Sequence, residues 1–445
     1  MWAHDAVFYQ VYPLGMCGAP PRNDFASSEP RLAQLFDWLP HWESLGIDAL
    51  YLGPVWESTA HGYDTADYFH VDRRLGDDRL LADLSWALHA KGIRLVLDGV
   101  FHHVGRDFWA FRDVQKNGQS SPYCGWFFLR FGEQSSQGDP FSYENWHGAE
   151  DLVKLNLSNP EVRQHLFQAV ESWIRDYGID GLRLDASDCI DRDFLKELAR
   201  LCRRLKPDFW LMGEAVFGNY NLLANPEMLD ATTNYEAYKG LHSSHNDRNL
   251  FEIAHSLDRQ FGPSGVYRNL HLYSFADNHD VDRIGELLKD SAHLYPLHVL
   301  LFGMPGIPAI YAGSEWGIGG KIKDGGQAAL RPFIPYPGGG PHSDLEGAIA
   351  KLSRIRRETP SLRRGDFKKI LVCSEQFAFS RQTEEETAIV LVNISKVPVR
   401  LELSLPVNGK FHDRLNPRDS FFVQGGKITL EMPANWGRIL VSQKP

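Results

Sequence analysis

Short apolar, β-prone runs alternate with amphipathic helical stretches along most of this chain, and this rhythm restricts the fold more than any other feature. Strands joined by crossover helices form a parallel sheet covered on both faces. Eight such runs stand at 8–12, 49–52, 94–98, 181–184, 210–213, 229–232, 272–276 and 309–311. Continuous apolar runs such as Leu95-Val96-Leu97 need burial on both sides, so the expected fold is α/β, a (β/α)₈ TIM barrel. The helix before the fourth strand carries its own punctuation. Asn159-Pro160 supplies a cap and an N1 proline, Val162, Leu166, Val170, Trp173 and Ile174 form one face, and Gly178 ends it.

Two departures from the rhythm set the expected domains. About eighty residues separate the third strand from the fourth, where a crossover needs only about ten. The excess, 103–154, is rich in Gly, Ser, Phe and Trp and reads as a small inserted domain at one mouth of the barrel. The barrel itself is then 1–102 and 155–362. After a helix at 344–358, runs at 367–372, 377–381, 387–392, 400–405, 421–423, 427–430 and 438–441 are short and alternating, which predicts an antiparallel β-sandwich over 363–445.

Acidic residues exceed basic ones by 57 to 47, a net charge of −10, and no basic block tracks a phosphate backbone, so nucleic acid is not an expected partner. An aromatic content of 12% suits a neutral ligand with flat apolar faces and many hydroxyls, a carbohydrate. The five cysteines are scattered, with no Cys-x-x-Cys pair, and Met1 opens no secretory signal pattern; a cytoplasmic location is expected. The segment 291–314 lacks charge, yet Pro296, Pro305, Pro308, Gly303, Gly306 and Gly313 break it. It reads as helix, turn and buried strand, with no membrane span.

In a barrel of this kind chemistry sits where the strands end. Asp98, Asp185 and Glu214 each close an apolar strand run, and Asp280 follows the seventh strand. A lone Asp there often caps the next helix. Four acids at one mouth crowd negative charge, which costs stability unless function requires it. Close carboxylates with an Arg, His residues and no phosphate-cradling loop fit glycoside hydrolysis. Arg183, two residues before Asp185, shares its face and can hold that Asp ionised as a nucleophile, leaving Glu214 as the acid. A metal site is the competing reading, but His102 and His103, taken as strand neighbours, point to opposite faces and do not chelate one ion. His103 and His279 are then hydrogen-bonding partners for sugar hydroxyls.

These residues also resemble the α-amylase superfamily, glycoside hydrolase family 13, over nearly the whole chain. Asp98-Gly-Val-Phe-His-His103, Gly181-Leu-Arg-Leu-Asp185, Gly213-Glu214 and Asp277-Asn-His-Asp280 are similar to its four signature regions, in order. The resemblance implies Asp185 as nucleophile, Glu214 as acid/base and Asp280 as transition-state stabiliser, with Tyr63, Asp98, His103, Arg183 and His279 binding the substrate. Val153-Lys154-Leu155-Asn156 resembles a fifth region in the form found among neopullulanases, cyclomaltodextrinases and maltogenic amylases. The implied activity is retaining hydrolysis of α-1,4 bonds in maltodextrins or cyclodextrins through a covalent glucosyl-enzyme.

The sequence also departs from that group. His102 replaces an Asn that often supports a calcium site, so no cofactor is expected and calcium dependence is not implied. Ala186-Ser187-Asp188-Cys189 and Ala215-Val216-Phe217 replace the usual runs on the leaving-group side, where Phe217 is a candidate substrate contact. With a first strand near residue 8, that group's extra N-terminal domain is expected to be missing. Transglycosylation, on a surface built from Phe217, Phe127, Phe128 or Trp126, is an alternative. So are sucrose or trehalose chemistry and a non-catalytic amylase-like binding protein. Oligomeric state stays open.

Overall fold

The computed structural model describes residues 1–405 and 407–443; residues 406, 444 and 445 of the expected C-terminal unit lie outside the described residues. Eight parallel strands form the centre: β1 Phe8–Val11, β2 Ala49–Leu52, β3 Arg94–Gly99, β4 Gly181–Leu184, β5 Trp210–Gly213, β6 Ala231–Thr232, β7 Tyr273–Phe275 and β8 Ile307–Tyr311. They run in the order β6-β5-β4-β3-β2-β1-β8-β7, and a parallel bridge between Thr233 and Tyr273 joins the two ends. This is the expected TIM barrel, with every predicted strand present.

Side-chain parity explains both its stability and its polarity. Phe8, Tyr51, Val96, Trp210, Met212, Tyr273, Phe275 and Ala309 fill the interior. Tyr9, Leu50, Leu95, Leu97, Leu182 and Leu211 face outward into the core beneath the helices. Following the same two-residue period, Gln10 comes after Phe8 and Asp98 after Val96 on the inward face. Arg183 of β4 is the register partner of Asp98. Apolar layers thus give way to a polar one at the strands' C-terminal ends.

The helices follow their local signals. Pro160–Tyr177 begins where the Asn159 side chain accepts the Glu161 N–H, buries Val162, Leu166, Val170 and Trp173, and stops at Gly178, whose φ of +64° favours glycine. The uncharged segment resolves into helix Leu294–Gly303, a turn and β8. Among the described residues no helix is long and apolar enough to cross a membrane.

After β3 the chain makes its excursion. Strands His103–Gly105, Ala149–Lys154 and Asn145–Trp146 form one antiparallel sheet, Leu129–Phe131 pairs with Phe141–Tyr143, and helix Trp109–Asn117 packs Phe111 and Val114 inward. A Cβ at Gly105 would lie 2.4 Å from the Asp64 carbonyl oxygen, so glycine permits the close approach between the excursion and the loop carrying Tyr63.

The C-terminal strands are β9 Asp366–Val372, β10 Gln376–Gln382, β11 Glu386–Asn393, β12 Val399–Ser404, β13 Gly409–Asp413, β14 Ser420–Val423, β15 Lys427–Met432 and β16 Trp436–Gln443. They form an antiparallel sheet ordered β9-β10-β11-β16-β13-β14 and a β12-β15 pair. Ile389, Leu391, Leu403, Phe411, Ile428, Leu430 and Leu440 form an apolar core between them. Sequence periodicity overlooked β13, because Phe411 is its only large apolar residue facing that core.

Candidate active site

One guanidinium organises the end of β4. Arg183 Nη1 donates to Asp98 Oδ1 at 2.9 Å, Asp98 Oδ2 at 3.1 Å and Asp185 Oδ1 at 2.9 Å, while Nη2 stands 2.8 Å from Glu214 Oε2. Asp98 also accepts the hydroxyls of Tyr51 at 2.8 Å and Tyr63 at 3.1 Å. With these partners the buried Asp98 carboxylate is satisfied. Immediately after Asp185, Ala186 adopts a left-handed φ of +47° and turns its N–H onto Glu214 Oε2 at 3.1 Å. The Ser187 hydroxyl and N–H both donate to the Glu214 carbonyl, at 2.6 and 3.1 Å. Backbone and side chain of Glu214 are both held.

A second cluster fixes Asp280. His279 Nε2 lies 3.0 Å from Asp280 Oδ2 and also meets the Tyr63 hydroxyl, while Gln10 Nε2 lies 2.9 Å from His279 Nδ1. If Gln10 donates, Nδ1 accepts and the ring carries its hydrogen on Nε2, facing Asp280; this assignment follows from the partners. Arg331 Nη2 donates to Asp280 Oδ1 at 2.8 Å, its Nε donates to the His279 carbonyl at 3.0 Å, and its guanidinium lies over the Tyr12 ring.

The carboxylates differ electrostatically. Burial pushes the Asp185 carboxyl well above its ordinary value; Arg183 opposes this, and the charges of Glu214, Asp98 and Asp280 reinforce it. Burial would also raise Asp280, but His279, Arg331 and Arg183 outweigh it and hold that carboxyl below the usual range. Two buried cations, Arg183 and Arg331, face four acids, and the remaining negative charge adds to the upward push on Asp185. Burial, then His102, lowers His103 to about 3, leaving it neutral.

A cavity of about 580 Å³ opens over these groups, lined by Tyr63, His103, Asp185, Glu214, Asp280 and Arg331, with Trp146 and Asp151 contributed by the excursion. Asp98, Arg183 and His279 stand behind its wall, and they position the residues that reach it. His103 Nε2 is buried without a hydrogen-bond partner, 3.9 Å from Asp185 Oδ2. Phe217 is 84% exposed, whereas its neighbour Val216 lines the cavity. Tyr12, Gln10, Tyr235 and Arg331 were not singled out from sequence. Tyr235 Oη stands 3.4 Å from Glu214 Oε1 and accepts from Asn278. Gln10 and Tyr235 obey readable parity or capping patterns, but no pattern marks an Arg in the loop beyond β8.

Two expectations need correction. His102 and His103 do not diverge: their Nδ1 atoms lie 3.2 Å apart, because β-pairing starts only at His103 and strand alternation does not govern His102. Among the described residues, no group of three or more His, Cys, Asp or Glu side chains is placed to hold a metal ion. Trp126 and Phe127 form no open sugar platform, since both are core residues of the excursion, packed on Trp109 and Phe111 respectively. Phe128 remains partly exposed, with Lys154 over its ring.

The arrangement can supply a nucleophile, a proton donor and fixed negative charge within one cavity. The chain is similar to known proteins over most of its length. Residues 31–332 match the family model described as alpha amylase, catalytic domain. A cyclomaltodextrinase from a Bacillus species is 31% identical over 416 residues, covering 89% of this chain and 74% of that protein. An intracellular maltogenic amylase from Bacillus subtilis is 28% identical over 459 residues, covering 96% and 76%. The solved structure of the cyclic α-maltosyl-(1→6)-maltose hydrolase of Arthrobacter globiformis, in complex with that cyclic sugar, superposes with a TM-score of 0.84 at 26% identity, covering 99% of each chain.

Proposed function

This chain belongs to the α-amylase family of glycoside hydrolases, and on that premise we propose that it hydrolyses α-1,4-glucosidic bonds of maltodextrins or cyclodextrins with retention. The observation that carries this reading is the shared guanidinium: Arg183 holds Asp185 and Glu214 side by side at the floor of the cavity. In this reading Glu214 delivers a proton to the leaving glycosidic oxygen while Asp185, ionised, attacks the anomeric carbon. Asp280, held anionic by His279 and Arg331, stabilises the positive charge that develops at that carbon. Glu214, now deprotonated, takes a proton from water, which cleaves the glucosyl-enzyme ester and frees Asp185. Tyr63 supplies a flat ring for the sugar, and His103 a free ring nitrogen within the same cavity.

The substrate class follows the relatives, whose names specify cyclomaltodextrins, maltogenic action and a cyclic maltosyl-maltose. A cytoplasmic location fits the relative named as intracellular. Transfer to a second sugar in place of water is the alternative that exposed Phe217, three residues beyond Glu214, favours as an acceptor platform. Product time courses on maltotriose, a cyclodextrin, pullulan, sucrose and trehalose decide among these. Glucose or maltose released first as the α-anomer supports retaining hydrolysis; β-anomeric product, or no cleavage of either maltotriose or cyclodextrin, overturns it. Longer oligosaccharides from maltotriose indicate transfer. Asp185→Asn should lower turnover on the order of 10³-fold or more.

A further inference from the structure

A second cavity, of about 300 Å³, lies on the opposite side of the barrel from the carboxylates. His271 precedes β7 and Gly306 precedes β8, so their side of the cavity is the strands' N-terminal end; its other wall comes from β9, β10 and the end of the short helix Pro360–Arg364 before β9. Its lining is cationic. Arg268, Arg363, Arg364 and Arg381 face it, with Asp366 as the one carboxylate among them.

The pairing of these arginines is incomplete. Arg381, only 2% exposed, donates Nε to the Gly365 carbonyl at 3.0 Å and Nη1 to the Gly303 carbonyl at 3.1 Å, and has no ion pair among the described residues. The hydrogen bonds of its guanidinium among the described residues run from Nε and Nη1, not from Nη2. Arg363 Nε is buried without a partner, and Nη1 reaches only to 3.5 Å from Asp5. Behind the wall, Arg356 is fully buried, bonded to backbone carbonyls, and its Nε is also unpartnered. Asp5 pairs with Arg364, and exposed Asp366 with Arg268 at 2.8 Å. Asp48 adds its charge to Arg356 and Arg363 from a distance, so five arginines meet three carboxylates. Burial, and then the charges of Arg381 and Arg356, lower the lining His271 to about 4, so it adds no charge near neutral pH.

Buried guanidinium groups without counter-charge are costly, and a bound anion removes that cost. Guanidinium forks match the paired oxygens of phosphate. The volume is about ten times the share of one water molecule, which leaves room for a group beyond a single phosphate. We propose that this seam between the barrel and the C-terminal sheet is a binding site for a phosphate-class dianion, either free phosphate or the phosphate of a small monoester.

Calorimetric titration of the full chain, at constant ionic strength in chloride buffer, tests this. The probes are inorganic phosphate and glucose 6-phosphate, with glucose as the neutral control. Saturable binding of either anion, weakened about tenfold or more by Arg364→Gln or Arg381→Lys, supports the site. Arg364 is exposed, so its variant keeps the test valid if the buried Arg381 variant fails to fold. Asp366→Asn should tighten binding about threefold by removing a like charge. A clear preference for glucose 6-phosphate identifies the monoester as the ligand, and equal affinities identify free phosphate. Absence of saturable binding at millimolar concentration, or binding unchanged in Arg364→Gln, overturns the proposal. The outcome does not depend on glycoside cleavage.

Discussion

Arg331 shows how one side chain outside the strand pattern tunes a carboxylate within it. It donates to Asp280 from a loop beyond β8, while His279 holds the other oxygen. Replacing it by methionine keeps much of the bulk over Tyr12 but removes the charge that opposes Asp280's desolvation. The Asp280 carboxyl then rises and its fixed negative charge is less well held, so kcat/KM at its pH optimum should fall at least about tenfold in steady-state assays. An unchanged kcat/KM would show that Arg331 does not support Asp280. At this scale the sequence is legible where strand parity applies. Asp98, Arg183 and Asp185 share a face because of the two-residue period. Arg331 is illegible because nothing periodic links residue 331 to residue 280.

At the level of elements, the β5 terminus shows why Glu214 follows a glycine. A Cβ on Gly213 would stand 2.3 Å from Ser187 Oγ and 2.4 Å from Leu229 Cδ1. Gly213→Ala should therefore swing the Ser187 hydroxyl away from the Glu214 carbonyl and cost about 1–3 kcal/mol. Chemical denaturation measures this, and combining the change with Ser187→Ala should give less than the sum of the single effects, since both lose the same hydrogen bond. Strictly additive losses would place the strain elsewhere. Elements themselves were readable from the chain: the Asn159 cap, the Gly178 stop and all eight barrel strands come from local chemistry. The excursion was readable as a surplus of length, but not in its packing, and so Trp126 and Phe127 looked available when they are core.

For the molecule as a whole, buried histidines couple stability to pH. His245 is fully buried, donates through Nδ1 to the Leu241 carbonyl at 2.6 Å and is lowered by burial to about 3. His298, also fully buried, is lowered for the same reason. A histidine with a depressed folded value takes its proton in the unfolded chain first, so its contribution is complete above about pH 6.5 and falls away below it. His245 alone should remove about 1.4 kcal/mol of stability per pH unit between roughly 6.5 and its folded value. Denaturant midpoints across pH 7.5 to 4.5, for the natural chain and His245→Leu, should show the shallower slope in the variant. Equal slopes would mean that His245 opens to water before the chain unfolds. By itself the sequence determined the alternating strands and helices, the acids at the strand ends and the segments outside the rhythm, because hydrophobic period and capping act over a few residues. Only the tertiary structure decided which groups meet: Arg331 with Asp280, His102 with His103, and five arginines in the seam behind the barrel. Those contacts join residues separated by loops of no fixed period, or escape strand alternation, and their energies depend on burial that no local pattern encodes.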